Sequence, residues 1–239
     1  MLGNGNQTKM TTVLVTGASR GIGLEFVRQY ARSGYSVIAT CRTPEKANQL
    51  TGLLKGAVNI LVEPLDVASD KSIQALNQVL NERAVTIDLL ISNAGILINE
   101  RFLDWNRDSF RETLETNAVG PAMLVQSLNP FLSQSAKVVQ LSSRLGSLDW
   151  GGKGMSDGDS YAISKVALNM LTVRLASIYE GSKRIAVSIS PGWVATEMGG
   201  PGATLAVEDS VSKMIPTIEA LTVSDSGRFI DGKGDSLPW

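Results

Sequence analysis

The feature that most constrains the fold is a regular alternation of short apolar runs with longer amphipathic segments. Helix-length segments lie near 22–33, 45–54, 69–82, 107–130, 159–181 and 207–221. Between them stand seven strand-length runs rich in valine, isoleucine and leucine: TVLVTG, SVIATC, NILVEP, IDLLISNAG, KVVQLSS, IAVSISPG and GRFID. Strands without polar alternation are covered on both faces. The pattern therefore predicts an α/β fold, a single doubly wound domain whose seven-stranded, mostly parallel sheet is flanked by helices on both faces.

Composition limits the kind of partner. The chain has 239 residues, 43% hydrophobic and 19% charged, which suffices for one large core. A net charge of -1 argues against nucleic acid or an anionic membrane as the main partner, and the single cysteine excludes an internal disulfide. No apolar run reaches the roughly 18 residues of a membrane span. We therefore expect a cytoplasmic protein that acts on a small molecule, with residues 1–10 as a disordered extension and 11–239 as the single domain.

A glycine-rich stretch follows the first apolar run directly. It reads TGASRGIG, residues 16–23, and leads into an amphipathic segment. Gly17 suits a tight turn, Gly21 lets the backbone approach a phosphate, and Gly23 lets the helix pack against the sheet. The amide groups at the start of that helix attract an anion. The stretch predicts a dinucleotide site, although a plain strand-to-helix turn uses similar residues.

Further motifs follow in a fixed order at the predicted strand ends or on the next helix, where open α/β sheets bind ligands. They are SNAG (92–95), TNAVG (116–120), LSSRLG (141–146), YAISK (161–165) and PGWVAT (191–196). With these motifs the chain resembles the short-chain dehydrogenase/reductase family from Thr11 onward. The ending SGRFIDGKGDSLPW resembles the C-factor-like and sniffer-type carbonyl reductase branch. The resemblance implies a Rossmann-like fold, a dinucleotide-binding and catalytic domain, and an oxidoreductase activity.

The resemblance also implies four catalytic residues. Tyr161 is the expected acid/base, Lys165 its partner, Ser143 the hydroxyl that orients the substrate, and Asn117 the fourth member of the set. Tyrosine and lysine at positions i and i+4 share a helix face, so both can reach one pocket. The chain contains no histidine. We expect the lysine to lower the tyrosine pKa by about one to three units, which would allow proton transfer near neutral pH.

Two serines compete with Ser143 for the substrate-orienting role. Ser142 adjoins it, but strand alternation sends the two side chains to opposite faces, and the family pattern favours the second serine. Ser147 is a remote alternative. The glycine-rich stretch 144–158 lengthens the gap before Tyr161 and is a candidate wall of the site.

Asn117 is followed four residues later by Pro121. Proline cannot donate the helical hydrogen bond that would end on the Asn117 carbonyl, so we expect a kinked helix and a free carbonyl. In the family, the corresponding asparagine holds a water that links the lysine to solvent.

The choice of nicotinamide depends on the end of the second run, IATCR. Cys41 stands where NAD-preferring family members commonly carry an acidic residue, and Arg42 follows it. A carboxylate there would repel a 2'-phosphate, whereas Arg42, helped by Arg20, could bind it in forked geometry. We therefore predict NADP(H), with NAD less favoured, and expect Cys41 to be a buried, inert thiol. No metal site is predicted. The cofactor-binding residues that these arguments and the resemblance imply are Gly17, Ser19, Arg20, Gly21, Ile22, Gly23, Arg42, Asp66, Val67, Asn93, Ala94, Gly95, Tyr161, Lys165, Pro191, Gly192, Val194 and Thr196.

Two functions remain open at this point. The first is reduction of an aldehyde or ketone to an alcohol, or the reverse, with NADP(H). The second is dinucleotide-dependent signalling or redox sensing of the C-factor type with little turnover. A sugar-nucleotide epimerase fits poorly because the glycine spacing differs. We expect segment 199–207 to form a mobile substrate lid, and the helical segments 107–130 and 159–181 to offer the face of a homodimer or homotetramer.

Overall fold

Seven strands form one sheet in which every pairing is parallel. The computed structural model describes residues 11–150 and 157–239. The strands are β1 (Thr12–Thr16), β2 (Ser36–Cys41), β3 (Ile60–Pro64), β4 (Ile87–Ser92), β5 (Leu132–Leu141), β6 (Ile185–Ser190) and β7 (Phe229–Asp231). Their order is β3-β2-β1-β4-β5-β6-β7. The chain therefore winds outward in two directions from the boundary between β1 and β4, where doubly wound sheets open a ligand crevice.

Helices cover both faces of the sheet. They are α1 (Gly21–Arg32), α2 (Asn48–Leu53), α3 (Asp70–Glu82), α4 (Arg107–Leu114), α5 (Gly120–Leu128), α6 (Asp159–Ile178) and α7 (Val207–Ala220). One buried cluster joins the sheet to Phe26 of α1 and Met214 of α7. A second joins the opposite face to Leu76 of α3, Leu124 of α5 and Leu175 of α6. The predicted doubly wound α/β architecture is confirmed.

Two predicted elements differ most from their predicted bounds. The single helix expected over 107–130 is divided by a π-helical turn, Glu115–Val119, in which the amide of Gly120 bonds to the carbonyl of Glu115. The missing amide of Pro121 explains why the ordinary helical pattern fails here. Strand β5 begins five residues before the predicted 137, because a register shift between Ile87 and Leu89 accommodates the extra residues.

Two predictions fall partly or wholly outside the described residues. These are the N-terminal extension 1–10 and the part of the glycine-rich stretch that spans 151–156. Within 11–150 and 157–239, no helix is both long and apolar enough to cross a membrane. In the same residues no group of histidine, cysteine or acidic side chains is placed to hold a metal ion.

Candidate active site

The carboxyl ends of β1 and β4 are tied together by side chains of the predicted motifs. Thr16 accepts hydrogen bonds on its hydroxyl from the amides of Asn93 and Ala94, at 3.0 and 2.9 Å. The Asn93 side-chain amide donates to the carbonyls of Thr16 and Gly17, at 2.8 and 3.2 Å. Asn93 and Ala94 therefore fix the glycine-rich turn from the neighbouring strand.

Glycine is required in this turn. Gly17 has φ +66°, and a Cβ there would lie 2.9 Å from the Cα of Ala94. At Gly23 a Cβ would lie 2.4 Å from the Gly17 carbonyl oxygen. A Cβ on Gly21, φ +56°, would lie 3.3 Å from the Thr196 methyl, which comes from the loop after β6. The backbone of the turn therefore packs closely against the end of β4 at Gly17, and it faces the β6–α7 loop at Gly21.

The start of α1 has the character of an anion site. Its N-cap residue, Arg20, has extended backbone and makes no side-chain capping bond, and the first turn contains no acidic residue. Helix N-terminal amides without a capping side chain attract phosphate, and the half-buried Ser19 and Ile22 border them. The glycine turn and the uncapped helix therefore fit the pyrophosphate of a dinucleotide.

Tyr161 and Lys165 lie together on the first turns of α6. Their residues are only 9% and 5% exposed. Lys165 Nζ donates to the Leu141 carbonyl at the end of β5, 2.7 Å away, and lies 5.4 Å from the centre of the Tyr161 ring. The ammonium therefore rests over the ring and is anchored to the sheet. The predicted sharing of one pocket by the i and i+4 pair agrees with this geometry.

The expected effect of lysine on the tyrosine pKa is wrong for this structure. Burial raises the pKa of Tyr161 to about 12, and hydrogen bonding with Ser143 only partly offsets this. Burial also lowers the pKa of Lys165 to about 8. The physical reason is that burial desolvates both groups, which disfavours the phenolate of Tyr161 and the ammonium of Lys165. The site holds a protonated phenol.

The two adjacent serines point to different partners, as strand alternation predicts. Ser142 is buried and donates to Asn169 of α6, 2.7 Å away. Ser143 accepts from the Leu145 amide, and its hydroxyl is the neighbouring group that lowers the pKa of the Tyr161 phenol. Ser147 is buried and donates to the carbonyl of Trp239 at 3.3 Å. Of the three, Ser143 is the serine beside the phenol.

Asn117 lies in the π-helical turn and is fully buried. Its side chain holds Ile96 from both sides: Oδ1 accepts from the Ile96 amide and Nδ2 donates to the Ile96 carbonyl, each at 2.8 Å. A Cβ on Gly95 would lie 3.2 Å from Asn117 Oδ1 and 3.8 Å from Lys165 Nζ. The fold therefore brings Asn117, Gly95 and Lys165 together. The side-chain amide of Asn117 is therefore occupied by Ile96 and Ser164, and a water on its carbonyl stays a prediction.

The predicted phosphate-binding arginines are both on the surface. Arg42 is exposed at the end of β2. Arg20 pairs with Glu197 of the β6–α7 loop, at 2.5 Å, although both side chains are more than 70% exposed. Cys41 is buried and burial raises its pKa, in agreement with an inert thiol. Glu197 was not predicted, and no sequence signal reveals that it meets Arg20.

Asp66 and Val67 follow β3, where the adenine contacts are expected. Asp66 accepts on Oδ1 from the Ala68 amide at 3.1 Å, and its own amide donates to Ser72. Val67 is buried, and a Cβ on Gly120 would lie 2.6 Å from its carbonyl oxygen. These contacts give both residues a local structural role, and their contact with adenine stays a prediction.

The loop after β6 is held by its own hydrogen bonds. Pro191 accepts from the hydroxyl of Ser210, and Thr196 accepts from the Gly199 amide. Further hydrogen bonds run from the Ala195 amide to the Leu205 carbonyl, from the Leu205 amide to the Trp193 carbonyl and from the Trp193 indole to the Gly199 carbonyl. Val194 is buried and forms a β-bridge with Leu205, and Gly192 has φ +87°. A Cβ at Gly199 would lie 2.0 Å from the Val194 carbonyl oxygen. Close packing therefore explains Gly199 and also Gly202, whose Cβ would lie 2.7 Å from the Trp193 ring, whereas Gly200 has φ +68° and open space around it. The mobile lid stays a prediction.

Ser164 and Asn169 support the site and were not predicted. Ser164 donates to the Tyr161 carbonyl at 2.7 Å and accepts from Asn117 Nδ2 at 3.0 Å. Asn169 accepts from Ser142 and donates to the Gly146 carbonyl at 2.9 Å. Asn169 stands four residues after Lys165, so helical spacing could have indicated it.

Comparison with known proteins decides the family. The family model described as short chain dehydrogenase matches residues 11–203. This chain belongs to the short-chain dehydrogenase family. The NADPH-bound carbonyl reductase from chicken fatty liver shares 33% identity, covers 96% of this chain and 99% of its own, and superposes with a TM-score of 0.90.

Two further similarities confirm the expected branch of the short-chain dehydrogenase family. The carbonyl reductase Sniffer of D. melanogaster is 30% identical, covers 96% of this chain and all of its own, and has a TM-score of 0.90. The C-signal protein of Myxococcus xanthus is 37% identical over 163 residues, which are 64% of this chain and 93% of that protein. The chain is an oxidoreductase-family member of the C-factor-like, sniffer-type branch.

Proposed function

We propose that this short-chain dehydrogenase is an NADP(H)-dependent carbonyl reductase that converts an aldehyde or ketone to an alcohol, or the reverse. The observation that carries the proposal is the buried phenol of Tyr161, with the Ser143 hydroxyl beside it and the Lys165 ammonium beside its ring. This group is suited to proton transfer at a carbonyl oxygen. Similarity to two carbonyl reductases over 96% of the chain supports the substrate class.

The residues of the site can account for both the hydride transfer and the proton transfer of the proposed reaction. When bound, the reduced nicotinamide would supply the hydride for the carbonyl carbon. Tyr161 would donate its proton to the carbonyl oxygen, so that new C–H and O–H bonds replace the C–O π bond. Ser143 would hold that oxygen, and a water held on the Asn117 carbonyl would pass a replacement proton from solvent to Lys165 and on to Tyr161. Burial raises the pKa of Tyr161 to about 12, so at neutral pH the phenol carries the proton that this step donates.

The choice of NADP(H) is supported by charge at the end of β2. Arg42 is exposed there, and Cys41 leaves the position without an acidic side chain. Arg20 adds a second guanidinium on the glycine turn. Forked guanidinium groups bind a phosphate in two hydrogen bonds, whereas an acidic residue would repel it. The NADPH bound to the chicken relative supports the same cofactor.

A turnover and binding assay tests the proposal. Purified protein is mixed with NADPH or NADH and a panel of aldehydes, ketones and quinones, and absorbance of the reduced nicotinamide is followed. NADPH oxidation with at least one carbonyl compound is expected. NADPH at about 100 times its Kd should also add about 2.7 kcal/mol to the free energy of unfolding. NADPH binding without turnover of any compound would contradict the carbonyl reductase.

The cofactor assignment has its own test. Arg42→Asp should shift the ratio of kcat/KM for NADPH over NADH by about 10-fold or more toward NADH, because the introduced carboxylate repels the 2'-phosphate. Lys46→Asp makes the same change of charge four residues after Arg42 and serves as the matched control. It should leave the ratio within about twofold. An unchanged ratio in Arg42→Asp would show that Arg42 does not read the phosphate.

The C-signal similarity favours a second candidate function. It would be signalling or redox sensing through dinucleotide binding, with little turnover. The complete arrangement of Ser143, Tyr161 and Lys165 favours catalysis, because binding alone does not require a buried phenol beside an amine. The turnover assay separates the two functions, since a sensor binds NADPH tightly and reduces nothing in the panel.

We also infer a cytoplasmic setting and a small-molecule substrate, with residues 11–239 as one dinucleotide-binding and catalytic domain. A homodimer or homotetramer would use α5 and α6, on which Met123 is 38% exposed and Met170 59% exposed. Burial of such side chains between copies would stabilise an assembly. Light scattering coupled to gel filtration measures the mass directly.

A further inference from the structure

Glu100 is a buried charged residue that the proposed chemistry does not use. It lies in the loop between β4 and α4 and is 5% exposed. One carboxylate oxygen accepts from the Ser160 amide at 2.7 Å, while the other is buried without a hydrogen-bond partner in the described part of the chain. Burying a carboxylate oxygen without a partner costs free energy. The hydrogen bond to Ser160 therefore comes with a free-energy cost, which argues against a purely stabilising role for Glu100.

The Ser160 amide belongs to the first turn of α6, the helix that carries Tyr161. The N-cap residue of this helix is Gly158, with φ +82° and no side chain that could accept a hydrogen bond. Helices ordinarily satisfy an N-terminal amide with a serine, threonine, aspartate or asparagine at the N-cap. Glu100 supplies that acceptor from a loop 60 residues away. Its own carbonyl also accepts from the Gly158 amide at 2.7 Å.

Other contacts bind the same loop and helix start. The Trp105 indole donates to Asp159 at 2.7 Å, and the Ser160 hydroxyl donates to Thr113 of α4 at 3.1 Å. Ser160 is fully buried. Its contacts with Glu100 and Thr113 are therefore the ones shielded from water, unlike that of Asp159 with Trp105. The next residue along the chain is Tyr161. A displacement of this first turn therefore moves the phenol directly.

The phenol must lie in register with Ser143, which stands on a different element, the turn after β5. Proton transfer depends steeply on this geometry, and a displacement of about 1 Å can cost on the order of 100-fold in rate. The loop after β4 begins with Asn93, Ala94 and Gly95, which already contact β1 and Asn117. Through its hydrogen bond with Ser160, Glu100 connects this loop to α6, the helix that carries Tyr161.

We propose that Glu100 is a positioning residue whose carboxylate fixes the first turn of α6 and thereby holds Tyr161 in register with Ser143. The proposal rests on the proposed carbonyl reductase function. It assigns no contact with substrate or coenzyme to Glu100. Its role is to accept a hydrogen bond, so an amide oxygen at the same place should serve nearly as well as a carboxylate.

The test compares Glu100→Leu with Glu100→Gln in the full chain. Leucine fills the space without an acceptor, whereas glutamine retains the acceptor oxygen. We expect Glu100→Leu to lower kcat by about 10- to 100-fold, with KM for the carbonyl compound and Kd for NADPH within about threefold. Glu100→Gln should keep kcat within about threefold of the parent. Asp104→Leu, in the same loop but with a 68% exposed side chain, is the matched control and should leave kcat unchanged.

Several results would overturn the proposal. The first is a Glu100→Leu variant that keeps the kcat of the parent. The second is a parallel loss of kcat and NADPH binding, which indicates general disruption. The third is a Glu100→Gln variant that is as impaired as Glu100→Leu. If Glu100→Leu does not fold, Glu100→Asp, which withdraws the oxygen by one methylene, is compared with Glu100→Gln by the same criteria. A parent protein without turnover would instead refute the carbonyl reductase function, and the catalytic role of Glu100 with it.

Discussion

The two sides of the crevice at the carboxyl end of the sheet are built differently. On the catalytic side, Tyr161 and Lys165 are buried, and the lysine is bonded to the end of β5. On the side of the β6–α7 loop, the link to the glycine turn is an ion pair of Arg20 and Glu197 whose side chains are more than 70% exposed. One side is fixed by buried hydrogen bonds and the other by a solvent-screened pair.

This difference separates two requirements of the proposed reaction. Proton transfer needs fixed distances, which buried hydrogen bonds from several elements provide. Coenzyme binding and release need a side that opens at low cost, and exposed ion pairs contribute only about 0–1 kcal/mol. Substitutions on the catalytic side should therefore change kcat, and substitutions on the loop side should change coenzyme affinity.

The largest effect is expected from Tyr161→Phe. Loss of the phenolic proton donor should lower kcat by about 10²- to 10⁴-fold, while Kd for NADPH stays within about twofold because the ring remains. Steady-state kinetics and a binding titration measure the two quantities. Tyr179→Phe, which removes a hydroxyl at the other end of the same helix, is the control. Activity retained in Tyr161→Phe would remove tyrosine from the mechanism.

Lys165→Met should lower kcat by about 100-fold and at the same time stabilise the fold. Burial lowers the lysine pKa from 10.5 to about 8, so holding the protonated amine costs on the order of 3 kcal/mol. Loss of the bond to Leu141 offsets about 1 kcal/mol of this. The net gain of about 2 kcal/mol should raise Tm at pH 7 by about 4–8 °C. The exposed Lys213→Met is the control.

The difference in stability between Lys165→Met and the parent should depend on pH. Between about pH 8 and 10.5 the unfolded chain binds the lysine proton more tightly than the folded chain, so the folded parent gains stability as pH rises. The advantage of Lys165→Met should therefore be largest below pH 8 and nearly absent near pH 10. Thermal melts at pH 7 and pH 10 measure it, and a lower Tm for the variant at pH 7 would contradict the cost of burial.

The same contrast explains what could be predicted from sequence. The seven strands, the glycine turn and the shared face of Tyr161 and Lys165 depend on local periodicity and spacing, so they could be predicted. The contact of Glu100 with Ser160 and the pair of Arg20 with Glu197 join residues far apart in sequence. No local pattern encodes such contacts.

The tyrosine pKa shows a further limit. Proximity of a cation is readable from i, i+4 spacing, but the depth of burial is a property of the whole fold. For Tyr161 burial outweighs every favourable neighbour. The division of the predicted helix 107–130 is an intermediate case, because Pro121 indicates an irregularity without specifying the π-helical turn.

The smallest effect is expected from Glu197→Gln on the loop side. If Arg20 binds the 2'-phosphate, its pairing with Glu197 competes with that contact, and removal of the carboxylate should tighten NADPH binding by about two- to fivefold. NADH affinity should not change. Titrations at low and high salt measure both affinities, and the gain should shrink at high salt because screening weakens the pair. Asp209→Asn, an exposed carboxylate at the start of α7, is the matched control. Weaker NADPH binding in Glu197→Gln would show instead that the pair holds the loop closed over the coenzyme, and equal tightening of NADPH and NADH would place Arg20 on the phosphates that the two share.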